Sequence, residues 1–203
     1  MYLGIKSYNF NHDLLLKEMI ELHGNGQIDY DPTFSKGNFY KNIKKPKFYS
    51  DFSIGNPLFF SDMCNMPFKR NTFKSIMIDP PFLWSSGKSL KVIKKNCNII
   101  ISRFTLFKNK KKLLYFYKLA IGEAYRVLKK DGVLFFKCQD VVNGSLNNFI
   151  HIDVFNIAVS RGFIAKDLFL FLKENRLKSG KWKKQNFARK HHSYFWVFHK
   201  RGN

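Results

Sequence analysis

One stretch near the middle of the chain constrains the fold more than any other, because an apolar run ends abruptly at a carboxylate and two prolines. Residues 75–78 are followed directly by Asp79, Pro80, Pro81 and Phe82. A continuous apolar run is typical of a strand buried on both faces of a parallel sheet, and ligands bind beyond the carboxyl ends of such strands. Each proline fixes its own backbone and favours extended geometry in the residue before it. We therefore predict a rigid corner that binds a planar group carrying an amine, such as a nucleobase.

Apolar periodicity predicts alternating strands and helices along the chain. Helical spacing occurs in residues 11–23, 112–128 and 147–161, and residues 129–132 are expected to turn the chain. Short apolar segments predict seven strands, at residues 27–31, 47–50, 57–61, 75–78, 133–137, 165–172 and 194–199. Because no helical pattern separates the last two strands, we expect them to form an antiparallel hairpin. The pattern predicts an α/β fold with a mostly parallel sheet.

Four of the predicted strands close on an acidic residue. These residues are Asp31, Asp51, Asp62 and Asp79. Aspartate is a poor strand residue and is costly to bury without a partner, so a row of carboxylates along one sheet edge indicates a binding site. Any one of them alone would be explained better as the cap of a turn.

Charge indicates the kind of partner. The 203 residues include 36 Lys+Arg against 14 Asp+Glu, a formal net charge of +22, which favours a polyanionic partner and nucleic acid first. The alternative is an AT-rich genome that enriches lysine codons without selection for binding. Two basic loops, at about residues 84–112 and 173–192, are expected to face the substrate. Their candidate nucleic-acid-binding residues are Lys88, Lys94, Lys95, Arg103, Lys181, Lys183, Lys184, Arg189 and Lys190.

Size and cysteine usage exclude several classes of protein. A chain of this length with 45% hydrophobic residues is expected to form one domain over residues 1–203. Cys64, Cys97 and Cys138 form no C-x-x-C pair, so neither a zinc site nor a disulfide framework is indicated. No targeting segment and no apolar stretch of membrane-spanning length is evident. We expect a cytoplasmic protein without a metal or a membrane partner, of unknown oligomeric state.

Several motifs resemble those of class I S-adenosylmethionine-dependent methyltransferases. Asp79-Pro80-Pro81-Phe82 resembles the motif of amino-methyltransferases that act on adenine. Residues 31–37 are similar to the Asp-Pro-Phe-x-Gly-x-Gly cofactor loop of DNA methylases, and residues 126–134 look like their Arg-Val-Leu-Lys-Pro-Gly-Gly turn. Residues 35–40 and 188–195 are similar to segments of small phage and prophage-type DNA adenine methyltransferases. The resemblance covers about residues 11–200, with Ser35 in place of a family glycine and Lys130-Asp131 in place of Pro-Gly.

This resemblance implies a Rossmann-like class I methyltransferase fold, with a seven-stranded sheet, a C-terminal antiparallel hairpin and helices on both faces. It implies S-adenosylmethionine as the cofactor. The implied cofactor-binding residues are Asp29, Asp31, Pro32, Ser35, Lys36, Gly37, Asp51 and Asp62. Asp51 would accept hydrogen bonds from the ribose, and Asp62 would contact the adenine of the cofactor.

The implied reaction is methyl transfer to the exocyclic amine of adenine in DNA. Asp79 and the Pro80 carbonyl would accept the N–H bonds of the amine, Pro81 would stiffen the corner, and Phe82 would stack on the flipped base. Two alternatives remain open, an RNA adenine amino-methyltransferase and a basic nucleic-acid-binding protein with a decayed cofactor site. The substitution at Ser35 is the basis of the second alternative.

Two further groups of residues allow more than one interpretation. His191 and His192 could act in catalysis, or they could be structural or face a phosphate. Cys138, Gln139 and Asp140 follow the fifth predicted strand and could line the base pocket or form a turn.

Overall fold

The computed structural model describes residues 4–52, 55–85, 106–143, 145–173 and 186–202. These residues contain the helices α1 (His12–His23), α2 (Lys110–Val127) and α3 (Ile150–Ser160), and a 3-10 turn at Asn38–Tyr40. The strands are β1 (Tyr8–Asn9), β2 (Tyr30–Asp31), β3 (Phe48–Asp51), β4 (Phe59–Phe60), β5 (Phe73–Ile78), β6 (Leu83–Trp84), β7 (Leu106–Phe107), β8 (Leu128–Cys138), β9 (Val141–Asn143), β10 (Leu146–Asn148), β11 (Phe163–Leu172) and β12 (His192–Lys200).

Helix α1 begins and ends where its sequence predicts. The Asn11 side chain accepts hydrogen bonds from the backbone N–H groups of Asp13 and Leu14, at 3.0 and 3.1 Å, which satisfies two donors of the first turn. At the other end, the N–H of Gly24 donates to the carbonyl of Ile20 at 2.7 Å. The predicted helix at residues 11–23 is therefore confirmed.

The main sheet has the strand order β1-β11-β12-β8-β5-β2-β3-β4. Strand β12 is antiparallel to both of its neighbours, β11 and β8, and the other pairs in this sheet are parallel. The expected mixed, mostly parallel α/β sheet and the antiparallel pairing of the last two strands are thus confirmed.

Two details of the predicted sheet were wrong. The sheet has eight strands instead of seven, because Tyr8–Asn9 pairs with β11 as an additional edge strand. The hairpin differs in detail, because β12 pairs with β8 as well as with β11 and so lies inside the sheet. A strand of two residues shows no alternating pattern in the sequence, and the insertion of β12 depends on pairing between distant segments.

Two predicted element boundaries also shift. The expected helix at residues 147–161 starts later, because Leu146–Asn148 pairs with Val141–Asn143 as a small antiparallel sheet. The expected turn at residues 129–132 lies inside β8, which starts directly after α2 and carries a register shift opposite Phe73 and Ser75. Asp131 takes a left-handed backbone conformation there, with φ of 57°.

The core lies on both faces of the sheet. Leu134 and Phe136 of β8 belong to a cluster beneath α2 and α3, whereas Val133 and Phe135 belong to a second cluster beneath α1. Alternate residues of one strand point to opposite faces, so helices cover both sides as predicted. The apolar run of β5 is likewise buried throughout, with Ile76, Met77 and Ile78 all at 0% exposure. This strand delivers Asp79 to the carboxyl edge of the sheet.

Within the described ranges, no helix has the length and apolar character that are needed to span a membrane. That the whole chain forms one domain stays a prediction.

Candidate active site

The corner formed by Asp79, Pro80, Pro81 and Phe82 is fixed from two sides. The backbone N–H of Asp79 donates to the Thr33 hydroxyl at 2.8 Å. On the other side, the hydroxyl of Tyr117, a fully buried residue of α2, donates to the Pro81 carbonyl at 2.9 Å. Within the part of the chain that the structure describes, the Pro80 carbonyl accepts no hydrogen bond. The corner therefore presents a carboxylate and a neighbouring carbonyl of fixed direction.

Lys137 is part of this corner and was missed by the sequence analysis. Its Nζ lies 3.1 Å from each carboxylate oxygen of Asp79. The pair forms because Ile78 and Phe136 are in register, which places Asp79 next to Lys137 on the adjacent strand. The sequence did carry a signal, since Lys137 is the single charged residue in the apolar run 133–138.

An aromatic wall borders the ammonium group of Lys137. Its Nζ lies 4.7 Å from the ring centroid of Phe39 and 5.9 Å from that of Phe195. The His12 ring packs against the same two rings, with centroid separations of 4.8 and 6.0 Å. Burial, and then the positive charge of Lys137, lower the pKa of His12 below its ordinary value. A neutral imidazole is therefore favoured beside the corner.

The 31–37 loop is organised by the carboxyl group of Asp31, which is only 2% exposed. One oxygen accepts from the Thr33 N–H at 2.7 Å and the Thr33 hydroxyl at 2.8 Å, and the other accepts from the Tyr40 hydroxyl at 2.6 Å. Burial raises the pKa of Asp31 to about 7. Because Thr33 also binds the Asp79 backbone, one residue connects this loop to the Asp79 corner.

Ser35 keeps the backbone conformation expected of the glycine that it replaces. Its φ is 51°, in the left-handed region that favours glycine, and Gly37 has a φ of 67°. The Ser35 N–H donates to an Asp51 carboxylate oxygen at 2.9 Å. Gly55 packs so closely behind the loop that a Cβ there would lie 1.7 Å from the Ser35 carbonyl oxygen. The shape of the loop is thus compatible with the side chain at position 35.

A cleft of about 490 Å³ opens beside this loop. Its lining includes three basic residues and no acidic residue, and the lining residues are Phe34, Lys36, Gly37, Tyr40, Lys41, Lys45, Tyr49, Gly55 and Asn56. Phe34 stacks on Tyr49 with their ring centroids 4.1 Å apart. The cleft therefore combines aromatic surface with positive charge next to the predicted cofactor loop.

The structure brings only some of the predicted cofactor residues together. Asp31, Ser35, Gly37 and Asp51 share one loop region, in which Pro32 is buried and Lys36 is exposed. Asp29 lies apart from them, because its carboxylate binds Lys47 Nζ and the Lys74 N–H, both at 2.7 Å, near the amino ends of β3 and β5. Asp62 caps its own turn by accepting from the Cys64 N–H at 2.8 Å.

A polar cluster lies at the carboxyl end of β8. Asp140 is 2% exposed, and its two oxygens lie 2.8 and 2.9 Å from His151 Nδ1. The Tyr194 hydroxyl donates to Asp140 at 3.3 Å and lies 2.9 Å from His192 Nε2. Burial raises the pKa of the nearby Cys138 thiol well above its ordinary value, which disfavours a thiolate nucleophile. His192 and Asp140 are therefore both joined to one hydrogen-bonded cluster.

Most of the predicted nucleic-acid-binding residues fall outside the described ranges. These are Lys88, Lys94, Lys95, Arg103, Lys181, Lys183 and Lys184. Arg189 is exposed, and the Lys190 ammonium lies 5.7 Å from the ring centroid of Phe149. Among the residues that the structure covers, no group of three or more His, Cys, Asp and Glu side chains could hold a metal ion.

Solved structures with a similar fold include methyltransferases. The N-methyltransferase NodS from Bradyrhizobium japonicum is 11% identical, with 94% of each chain covered and a TM-score of 0.51. A protein described as a sarcosine dimethylglycine methyltransferase from Galdieria sulphuraria is 12% identical and has a TM-score of 0.54, with 93% of this chain and 85% of that chain covered.

A third similar structure is described as a DNA modification methylase from Thermus thermophilus, in complex with S-adenosyl-L-methionine. It is 15% identical over 68% of this chain and has a TM-score of 0.43. The present chain spans about half of the length of that protein, with 51% covered. No model of a known protein family matches the chain, and no curated protein matches it. At these identities the likeness establishes the fold alone, through the two structures with TM-scores above 0.5. The chain has a Rossmann-like class I methyltransferase fold.

Proposed function

We propose that this protein transfers a methyl group from S-adenosylmethionine to the exocyclic amine of adenine in DNA. The observation that carries the proposal is the fixed corner at Asp79, where a carboxylate and the Pro80 carbonyl lie together at the end of a central parallel strand. An exocyclic amine has two N–H donors, and these two acceptors match them. The resemblance of the Asp-Pro-Pro-Phe motif to adenine amino-methyltransferases supports the choice of substrate.

The protein would act by positioning the amine. The lone pair of the amine is delocalised into the base. If Asp79 and the Pro80 carbonyl accept hydrogen bonds from its two N–H groups, a tetrahedral nitrogen with a localised lone pair is favoured. S-adenosylmethionine, when bound, supplies an electrophilic methyl group on a sulfonium. The nitrogen held by Asp79 and Pro80 would take that methyl group, the electrons of the C–S bond would remain on sulfur, and the nitrogen would then lose a proton to solvent. Asp79 would stabilise the positive charge that develops on nitrogen through the hydrogen bond that it accepts.

The 31–37 loop is the proposed cofactor site. It fits this role because Ser35 and Gly37 both take the left-handed backbone conformation, and because the adjoining cleft of about 490 Å³ has aromatic walls. Asp31 would act by shaping the loop through Thr33 and Tyr40, since its oxygens already accept three hydrogen bonds. Asp51 would hold the Ser35 backbone from the neighbouring strand.

DNA is the proposed partner because of the charge of +22 and the resemblance to DNA methylases. The target adenine would have to leave the duplex to reach Asp79, at a cost of roughly a few kcal/mol. Contacts between basic side chains and phosphates would offset that cost and would weaken steeply with added salt.

The proposal is tested by incubating the protein with methyl-labelled S-adenosylmethionine and separate pools of DNA and RNA, followed by nucleoside analysis. We expect N6-methyladenine in the DNA pool. If the label appeared only in adenosine of the RNA pool, we would conclude that the substrate is RNA and not DNA. Absence of transfer to either pool, together with no heat of cofactor binding by calorimetry, would support a nucleic-acid-binding protein with a decayed cofactor site.

A further inference from the structure

We infer that Lys137 is a positioning residue that holds the Asp79 carboxylate in the orientation needed to accept the target amine. The inference rests on the proposed function and assigns a role to a residue outside the Asp-Pro-Pro-Phe motif. Lys137 Nζ lies 3.1 Å from both oxygens of Asp79. This contact of one ammonium with both oxygens restrains the rotation of the carboxylate group.

The orientation of Asp79 depends on this one contact. Two hydrogen bonds and the prolines hold the backbone of the corner, but they do not reach the side chain. Among the described residues, Lys137 is the only donor of a hydrogen bond to the Asp79 carboxylate. The Asp79 side chain is 31% exposed, so without Lys137 it would be free to rotate towards solvent.

Lys137 leaves room for the amine. A carboxylate has about four lone-pair sites, and the contact with Lys137 occupies at most two of them. The remaining sites can accept an N–H of the target amine at the same time. The lysine and the substrate are therefore compatible partners of one carboxylate.

The lysine itself is held by its surroundings. Its ammonium lies over the rings of Phe39 and Phe195, and Phe195 is fully buried. His12 packs against the same rings, and its lowered pKa keeps a second positive charge away from Asp79 at neutral pH. The ammonium of Lys137 therefore lies among two aromatic rings and a neutral histidine. Among the described residues, Asp79 is its one acidic partner.

Two substitutions test this role. Lys137→Met removes the charge and the two contacts, and we expect kcat to fall about 100-fold, because a small misplacement of a positioned group costs about that much. KM for DNA should change less than about 3-fold, since Lys137 does not touch the base. Lys137→Arg keeps a two-point contact with the carboxylate and should restore kcat to within about 10-fold of the wild type.

Lys200 supplies a matched control on the same sheet. Its Nζ lies 4.8 Å from the ring centroid of Tyr125, and it binds Asn71 and the Leu128 carbonyl far from the corner. We expect Lys200→Met to leave kcat within about 3-fold of the wild type. Equal effects of the two methionine variants on kcat would overturn the inference, as would a Lys137→Met variant with wild-type kcat.

A second measurement separates this inference from the proposed function. Acetylation of lysines by a mild reagent, followed by mass spectrometry, reports the contact without any methyl transfer. We expect Lys137 to react several-fold faster in Asp79→Asn than in the wild type, and Lys200 to react equally in both. An unchanged rate for Lys137 would contradict the contact even if the protein methylates DNA. A wild type without transfer would refute the proposed function whatever the acetylation result.

Discussion

The two halves of the sheet are built by different means. Strands β5, β8, β11 and β12 have 6, 11, 10 and 9 residues, and the helices pack on them. Strands β2, β3 and β4 have only 2, 4 and 2 residues, and in the described ranges the connection from β2 to β3 contains a 3-10 turn as its only helical element. Both halves contribute to the apolar core, and the second half also depends on hydrogen bonds that aspartate side chains accept from backbone N–H groups.

The aspartates near the strand ends differ in the groups that bind them. Asp29, Asp31, Asp51 and Asp62 each accept a hydrogen bond from a backbone N–H. These bonds satisfy backbone donors, of which those of Thr33, Ser35 and Cys64 lie outside the strands. Asp79 differs from them, because among the described residues no backbone N–H donates to its carboxylate, which is bound by Lys137 at the carboxyl edge of the sheet. The Asp79 corner thus belongs to the long-stranded half and borders the short-stranded half through Thr33.

The largest expected effect tests whether the long-stranded half carries the stability. Phe135 is 0% exposed beneath α1, and Phe135→Ala should lower the free energy of unfolding by about 4 kcal/mol. Phe34 is 8% exposed in the short-stranded half, and Phe34→Ala should cost about half as much, because its site can relax more easily. Urea denaturation measures both values, with Phe135→Leu as a milder variant. Equal losses of unfolding free energy in Phe135→Ala and Phe34→Ala would show that the two halves of the sheet do not differ in their contribution to stability.

The second effect tests the buried carboxyl group that organises the 31–37 loop. Burial raises the pKa of Asp31 to about 7, so the native state binds its proton more tightly than the unfolded chain. This group therefore contributes stability in acid that is lost as the pH rises through about 7, and each unit of pKa difference corresponds to about 1.4 kcal/mol.

Urea denaturation at about pH 5 and about pH 8 measures this contribution, since the two conditions lie on either side of the raised pKa. The wild type should lose more stability between the two values than Asp31→Asn, which does not titrate. Tyr40→Phe removes a donor to the ionised carboxylate and should make the loss larger than in the wild type. The same loss in the wild type and in Asp31→Asn would show that Asp31 is ionised in the native state throughout this range.

The smallest effect concerns the residue that departs from the family pattern. Ser35 has a φ of 51°, so Ser35→Gly relieves backbone strain but increases the freedom of the unfolded chain. We expect the free energy of unfolding to change by less than about 1 kcal/mol, and the affinity for S-adenosylmethionine to rise no more than a few-fold. Asn25→Gly, at an exposed turn with a φ of 54°, is the control. Cofactor binding that appears only in Ser35→Gly would favour the decayed-site alternative.

The sequence patterns predicted the long helices and strands well, but they predicted poorly which residues of different elements contact each other. The helix at α1 and the buried run 76–78 were predicted because their apolar periods extend over enough residues. Strand β1 was missed, because two residues carry no period. Lys137 was missed because its contact with Asp79 depends on which strands are neighbours. The hydrogen bond from the Tyr40 hydroxyl to Asp31 was missed for a similar reason. It forms only in the folded loop, which brings together two residues that are nine positions apart.

The central claim is that the Asp79 corner transfers the methyl group. Asp153 of α3 is a matched control, because it is 29% exposed and binds Lys110 at 2.8 Å, whereas Asp79 is 31% exposed and binds Lys137. The most direct measurement is the amount of N6-methyladenine that the wild type, Asp79→Ala and Asp153→Ala form in DNA. All three proteins are assayed with saturating cofactor, after thermal unfolding has shown that their stabilities are equal. We predict a loss of at least about 1,000-fold in Asp79→Ala and less than about 3-fold in Asp153→Ala. An Asp79→Ala variant that retains most of the activity would contradict the account.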